Sequence, residues 1–367
     1  MGIAWDRIAA AAAMVAALAG CASAPEQAPV RLAPLVFPPA PDEARFVYER
    51  TIYTSADVSE KDRNSALRQA LTGEAERGGE GVGKPYGVAV RRGRIYVADS
   101  INASVKLFDV PGRRFASIGG DELRQPLGVD VDDAGLLYVV DATAKVVRLY
   151  DTEGRQLRQL GGPSWFSRPT GVAVDPKAER VYVTDTGGVN KWEEHRVRVF
   201  NARSGEHLFD FGKRGSQPGE FNLLRDVAVA PDGKVYVVDS GNFRIQVFDR
   251  DGRFLFMFGN VGRFPGQFAR PREIAIDRLG NVYVSDAAFG NFQIFDPEGN
   301  LLLHIGDRGE RDAPARYMLP AGIAVDVDGR VYMADQFFRK IDVYRPAAMK
   351  VEEGYVALPK AAKPAAR

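Results

Sequence analysis

One cysteine and three histidines are all that this 367-residue chain offers to disulfide, thiolate or imidazole chemistry. Cys21 has no second cysteine to pair with, so disulfide staples are excluded. His195, His207 and His304 lie far apart in sequence, whereas a catalytic zinc takes about three protein ligands at ~2 Å. Neither a metal centre nor a cofactor is expected. No charge of one sign dominates either. The 49 basic and 48 acidic residues leave a net charge of +1 with no single-sign run, so bulk electrostatics argue against a nucleic-acid partner. The apolar run over residues 8–19 is 12 residues long, short of the ~20 that a membrane-spanning helix needs.

That run suits a signal-peptide core. It ends in Leu18-Ala19-Gly20-Cys21, which resembles a bacterial lipobox: an aliphatic residue, two small residues, then the cysteine that would carry lipid. The resemblance implies lipidation at Cys21 and a membrane as partner. Ala22, rather than aspartate, follows the cysteine, which implies the periplasmic face of the outer membrane. Residues 1–21 are thus expected to be a signal segment. The Pro- and Ala-rich residues 22–44 read as an extended tether, and residues 347–367 as a flexible tail.

Between the ends, one phrase recurs six times: a short apolar run containing Tyr, two residues, then Asp. The tyrosines are Tyr96, Tyr138, Tyr182, Tyr236, Tyr283 and Tyr332, and the aspartates are Asp99, Asp141, Asp185, Asp239, Asp286 and Asp335. Successive spacings are 42, 44, 54, 47 and 49 residues. Strand-like units at that period predict an all-β, six-bladed β-propeller over residues 45–346, with four antiparallel strands per blade. Six copies of one aspartate suit a structural role at the strand end, accepting bonds from the following turn.

The fourth repeat is the plainest. Asp226-Val-Ala-Val-Ala230, a Pro231-Asp-Gly233 turn, Lys234-Val-Tyr-Val-Val-Asp239, then Arg244-Ile-Gln-Val-Phe-Asp249 and Phe254-Leu-Phe-Met-Phe258 make strands A to D. Gly171-Val-Ala-Val-Asp175, Glu273-Ile-Ala-Ile-Asp277 and Gly322-Ile-Ala-Val-Asp326 repeat the first phrase, and small Ala suits the crowded axis. Val235-Tyr-Val-Val-Asp-Ser240 with Asn242, Arg244 and Gln246 resembles the NHL-repeat family, which implies a six-bladed propeller. The second repeat departs from it, with Ala142-Thr-Ala-Lys145 where Ser-x-Asn-x-Arg belongs. The sixth repeat lacks strand D, and residues 45–53 form a strand lacking a blade. That N-terminal strand is expected to close the last blade and remove an exposed edge. Residues 59–73 then bridge to blade 1, partly as helix.

The A–B and C–D turns share one face and are tight. The B–C loops and D–A links share the other and hold the excess length: residues 186–195, 212–224, 259–270 and 306–319. Recognition residues are expected there. Trp192, Phe289 and Phe338 are candidates for exposed aromatics, whereas Phe221 and Phe268 read as packing. The channel mouth is set by residues just before each strand A. Tyr86 stands there in blade 1, while blades 4 and 5 place Arg225, Asp226, Arg272 and Glu273. These charges either pair and plug the channel or form a polar site for an anionic or zwitterionic ligand. Some propellers resembling this one are zinc lyases or calcium hydrolases, but no His stands at the mouth, and Asp226 and Glu273 lack an accompanying Asn. The expected function is a lipid-anchored binding or scaffold module for a cell-envelope protein or small polar ligand. The alternative is a periplasmic enzyme, hydrolase or lyase, working at the channel mouth; no catalytic residue stands out.

Overall fold

A computed structural model describes residues 33–59, 78–177, 179–188 and 193–356. The lipobox with Cys21, all but the first residue of the bridge over residues 59–73, and Trp192 lie outside the described residues. Six antiparallel sheets form the six blades. Their innermost strands are Pro85–Arg91, Pro126–Val131, Pro169–Val174, Leu224–Val229, Pro271–Ile276 and Pro320–Val325. Blade 4 continues outward through Val235–Asp239, Arg244–Phe248 and Phe254–Phe258, and the other blades follow its plan.

One cross-strand pair explains the repeat. In register, Ala89 faces Tyr96, Ala173 faces Tyr182, Ala228 faces Tyr236, Ala275 faces Tyr283 and Ala324 faces Tyr332. The methyl keeps the axis uncrowded, while the ring fills the widening wedge between blades. Asp130 replaces Ala opposite Tyr138 in blade 2. All six tyrosines are buried. The apolar cores straddle blade boundaries: one joins Tyr236, Val238 and Phe268 to Ile274 and Phe295, and another joins Ile95 and Phe108 to Tyr332 and Ile341. Each blade is therefore stabilised mainly by burying its faces against its neighbours.

The six aspartates are all fully buried. They do more than bind the following turn. Asp99 accepts from Gly83 N (2.7 Å) and Lys84 N (3.0 Å), in the link before strand A, as well as from Ile101 and Asn102 in the turn after strand B. Asp286 likewise takes Ala269 and Arg270 on one side and Ala288 and Phe289 on the other. Asp141, Asp239 and Asp335 do the same, so these carboxylates pin the B–C loop to the incoming D–A link, while Asp185 holds its link through Ser167 N and Arg168 N.

Ring closure is as expected. Phe46–Ile52 pairs antiparallel with Lys340–Pro346, the third strand of blade 6. A further short strand, Val36–Phe37, pairs outside it, within the stretch expected to be a tether. The far end also differs from expectation. Residues up to 356 are held down, with Val356 buried in the core shared by blades 6 and 1 and Glu353 O accepting from Arg330 Nη2 at 2.9 Å. Among the described residues no helix is long and apolar enough to cross a membrane.

Candidate functional site

The central channel narrows where neighbouring A strands approach most closely. A Cβ on Gly87 would lie 2.6 Å from Leu127 O, one on Gly128 2.7 Å from Gly171 Cα, and one on Gly322 2.6 Å from Tyr86 O. Only glycine fits such backbone contact. Blades 4 and 5 break the glycine ring with Asp226 and Glu273, which occupy the space the missing side chains leave. Asp226 Oδ1 lies where a Cβ on Gly171 would fall, and Oδ2 accepts from Ile274 N of the next blade at 3.1 Å. Below this constriction the channel widens into a cavity of about 310 Å³ that runs toward the A–B turns.

Of the acids that line the cavity, three rather than two stand on the innermost strands: Asp130, Asp226 and Glu273. Asp130, absent from the expected site, accepts from Val174 N at 2.8 Å and Val131 N at 2.8 Å and faces the channel interior. Its signal was legible: it is the one acid at a position otherwise held by Ala. Burial pushes Asp130 and Asp226 each up to about 7, against which their backbone amide bonds work. Burial first, then the neighbouring Asp226, raises Glu273 well above the usual carboxylate range. Among the described residues no group of three or more His, Cys, Asp or Glu is placed to hold a metal ion.

The four charges expected to act together are divided. Among the described residues neither Asp226 nor Glu273 forms an ion pair with Arg225 or Arg272. The carboxylates face the cavity, whereas Arg272 lies over the Tyr86 ring at 5.1 Å, reaching from blade 5 to blade 1. The constriction is thus filled without ion pairs: Asp226 accepts a backbone amide, while Glu273 Oε1 is buried with no hydrogen-bond partner among the described residues.

The B–C/D–A face collects large apolar side chains that solvent reaches. Phe264 is 75% exposed, Ile101 67%, Val261 63% and Phe337 59%. Leu223 and Trp165 join them. The tight-turn face has Leu279, in an A–B turn, and Tyr355, beside Gly93 of another, as comparable residues. Phe338 is half-buried, edge-on to Phe337 at 5.3 Å and 5.7 Å from Lys340 Nζ. Phe337 takes the exposed position expected of Phe338, and Phe289 and Tyr86 are half-buried. Phe221 and Phe268 are fully buried, as expected. Val261 and Phe264 escaped notice because a lone apolar residue in a Gly-rich link has no period to mark it.

A family model described as NHL repeat matches residues 166–200 and 221–248. NHL repeat-containing protein 3 of Mus musculus is 34% identical over 89 residues, which are 24% of this chain and 24% of that protein. The chain thus matches about a quarter of that curated relative's length. Among solved structures, a gluconolactonase from Xanthomonas campestris superposes with a TM-score of 0.57 at 16% identity, covering 82% of this chain and 98% of that one. A virginiamycin B lyase from Staphylococcus aureus gives 0.51 at 13%, covering 74% and 82%. At such identities these two likenesses speak to the fold alone.

Proposed function

We propose that this chain, an NHL-repeat six-bladed β-propeller, is a binding or scaffold module that engages a cell-envelope protein through its B–C/D–A face. The observation that carries this reading is the set of exposed apolar side chains on that face, with Phe264, Val261, Ile101 and Phe337 foremost. Aromatic anchors carry a large share of interface energy, and exposed loops on a rigid ring are where recognition residues sit. Arg272 over Tyr86 adds a cationic, aromatic centre to the same face. Of the three innermost-strand acids, by contrast, Asp226 and Glu273 fill the constriction itself, and Asp130 and Asp226 already accept backbone amides. That supports binding over chemistry at the mouth.

We further propose that lipid on Cys21 holds the propeller to the membrane, among other envelope proteins. The test is crosslinking from intact cells with the wild-type chain, a Phe264→Ala/Phe337→Ala chain and an Asp232→Lys chain altered on the tight-turn face. A partner retained by wild type and Asp232→Lys but lost from the double variant is the expected result. A partner lost only from Asp232→Lys would assign the opposite face.

A further inference from the structure

At four blade boundaries a C–D turn covers the end of the preceding blade. Gly154 sits against Ile118, Gly205 against Leu160, Gly252 against Phe211 and Gly299 against Phe258. The same turns accept hydrogen bonds across the boundary: Arg94 Nη2 donates to Thr152 O at 2.7 Å, Tyr182 OH to Arg250 O at 2.9 Å and Tyr236 OH to Pro297 O at 3.1 Å. Blade 6 has no such turn, because its fourth strand arrives from the other end of the chain. Its third strand ends at Pro346 and its fourth starts at Phe46, with no hairpin between them. Tyr283, the blade 5 counterpart of Tyr236, bonds instead within its own blade, to Asp277 at 3.1 Å.

The gap is a cavity of about 470 Å³ between blades 5 and 6, within the ~300–1,000 Å³ of small-molecule sites. Phe46, Tyr283, Ile294, Leu302, Leu303 and Pro346 make it apolar. Its rim carries Arg45 and Arg278 beside three carboxylates, and the carboxylates are spoken for. Asp277 accepts from Leu279 N, Asn281 N and Tyr283 OH. Asp326 accepts from Arg92 N and Gly93 N, and Asp328 pairs with Arg330 at 2.7 Å. Arg45 gives one N–H to Leu302 O at 3.4 Å, and among the described residues neither rim arginine has a carboxylate partner. An apolar cleft with two guanidinium groups at its mouth that lack a carboxylate partner is complementary to an anion carrying an alkyl chain, since guanidinium binds carboxylate through paired N–H donors.

We propose that this cleft binds one molecule of a medium-chain fatty acid, its alkyl chain against Leu302, Leu303 and Ile294 and its carboxylate at Arg45 and Arg278. The site exists because the ring is closed by the N-terminal strand, and it stands apart from the face proposed for partner binding. The test is calorimetric titration of the full chain with decanoate below its micellar concentration, and with decyltrimethylammonium for comparison. One decanoate per chain is expected, with binding at least tenfold weaker for the cation. Arg45→Glu/Arg278→Glu should weaken decanoate at least tenfold, and Leu302→Trp, at a half-exposed wall, should fill the cleft and abolish binding. Unchanged thermal unfolding of the charge-reversed chain shows that the fold survives. Absence of decanoate binding, equal binding of both amphiphiles, or binding indifferent to these substitutions overturns the proposal. So does association with phosphatidylglycerol vesicles alone, without uptake of free decanoate.

Discussion

Arg330 and Glu49, 281 residues apart, meet in a two-pronged ion pair at 2.7 and 3.1 Å in which Arg330 is fully buried. Glu49 belongs to the strand that closes the ring and Arg330 precedes the second strand of blade 6, so the pair ties the two ends of the propeller. Asp328 adds a second carboxylate at 2.7 Å, and Thr51 adds a bond to Asp342 at 2.5 Å farther along the closing strand. The pair specifies how the closing strand docks.

Glu49→Ala removes the carboxylate that Arg330 Nε and Nη2 donate to and leaves the buried guanidinium with Asp328 as its remaining carboxylate. The expected loss is about 3 kcal/mol, since breaking a buried pair from one side costs ~3–5 kcal/mol and Asp328 remains. Urea unfolding of the two chains measures it. Deleting residues 45–53 goes further, stripping the strand that covers blade 6 and exposing an unpaired edge. Aggregation is expected, and unchanged thermal unfolding would show that the ring closes otherwise.

Gly171→Ala tests the constriction. The added Cβ would fall 2.3 Å from Asp226 Oδ1 and 2.7 Å from Asp226 Cα, so both side chain and backbone must move. A loss of ~1–3 kcal/mol is expected from overpacking. Gly233→Ala is not an equivalent control, because its φ of 89° strains any side chain.

The channel acids predict a pH dependence with a definite sign. Asp130 and Asp226 titrate near 7 in the fold but near ~3.9 unfolded. Between those values the folded chain holds protons that the unfolded chain has released, so stability falls as pH rises from about 4 to about 7 and levels off above. Asp226→Asn keeps an acceptor for the Ile274 amide and removes one such group. Its unfolding midpoint should fall less than that of wild type between pH 4.5 and 7.5, the difference being at most about 4 kcal/mol. Parallel curves would show that Asp226 is ionised throughout.

Membrane attachment is tested by Cys21→Ser, which should move the protein from the membrane fraction to the soluble one and remove its lipid. Sedimentation with membranes unchanged by the substitution would end the lipobox reading.

The sequence alone determined the number of blades, their strand order and the closing strand, because each is written in local period. Tyr-x-x-Asp phrases count the blades, alternation marks the strands, and residues 45–53 are a strand with no neighbour to pair with. It also marked Arg225, Asp226, Arg272 and Glu273 as unlike their counterparts. Only the tertiary structure decided what those four do. Adjacent residues on a strand point to opposite sides, so Asp226 and Glu273 enter the channel while Arg272 crosses to Tyr86. The exposure of Phe337 rather than Phe338 was likewise invisible, since Lys340 lies against one ring and not the other. Packing between blades joins residues some 40 to 50 positions apart, and at the blade 5–6 boundary it joins the two ends of the fold. No local pattern in the chain records those contacts, nor the cleft left where a turn is missing.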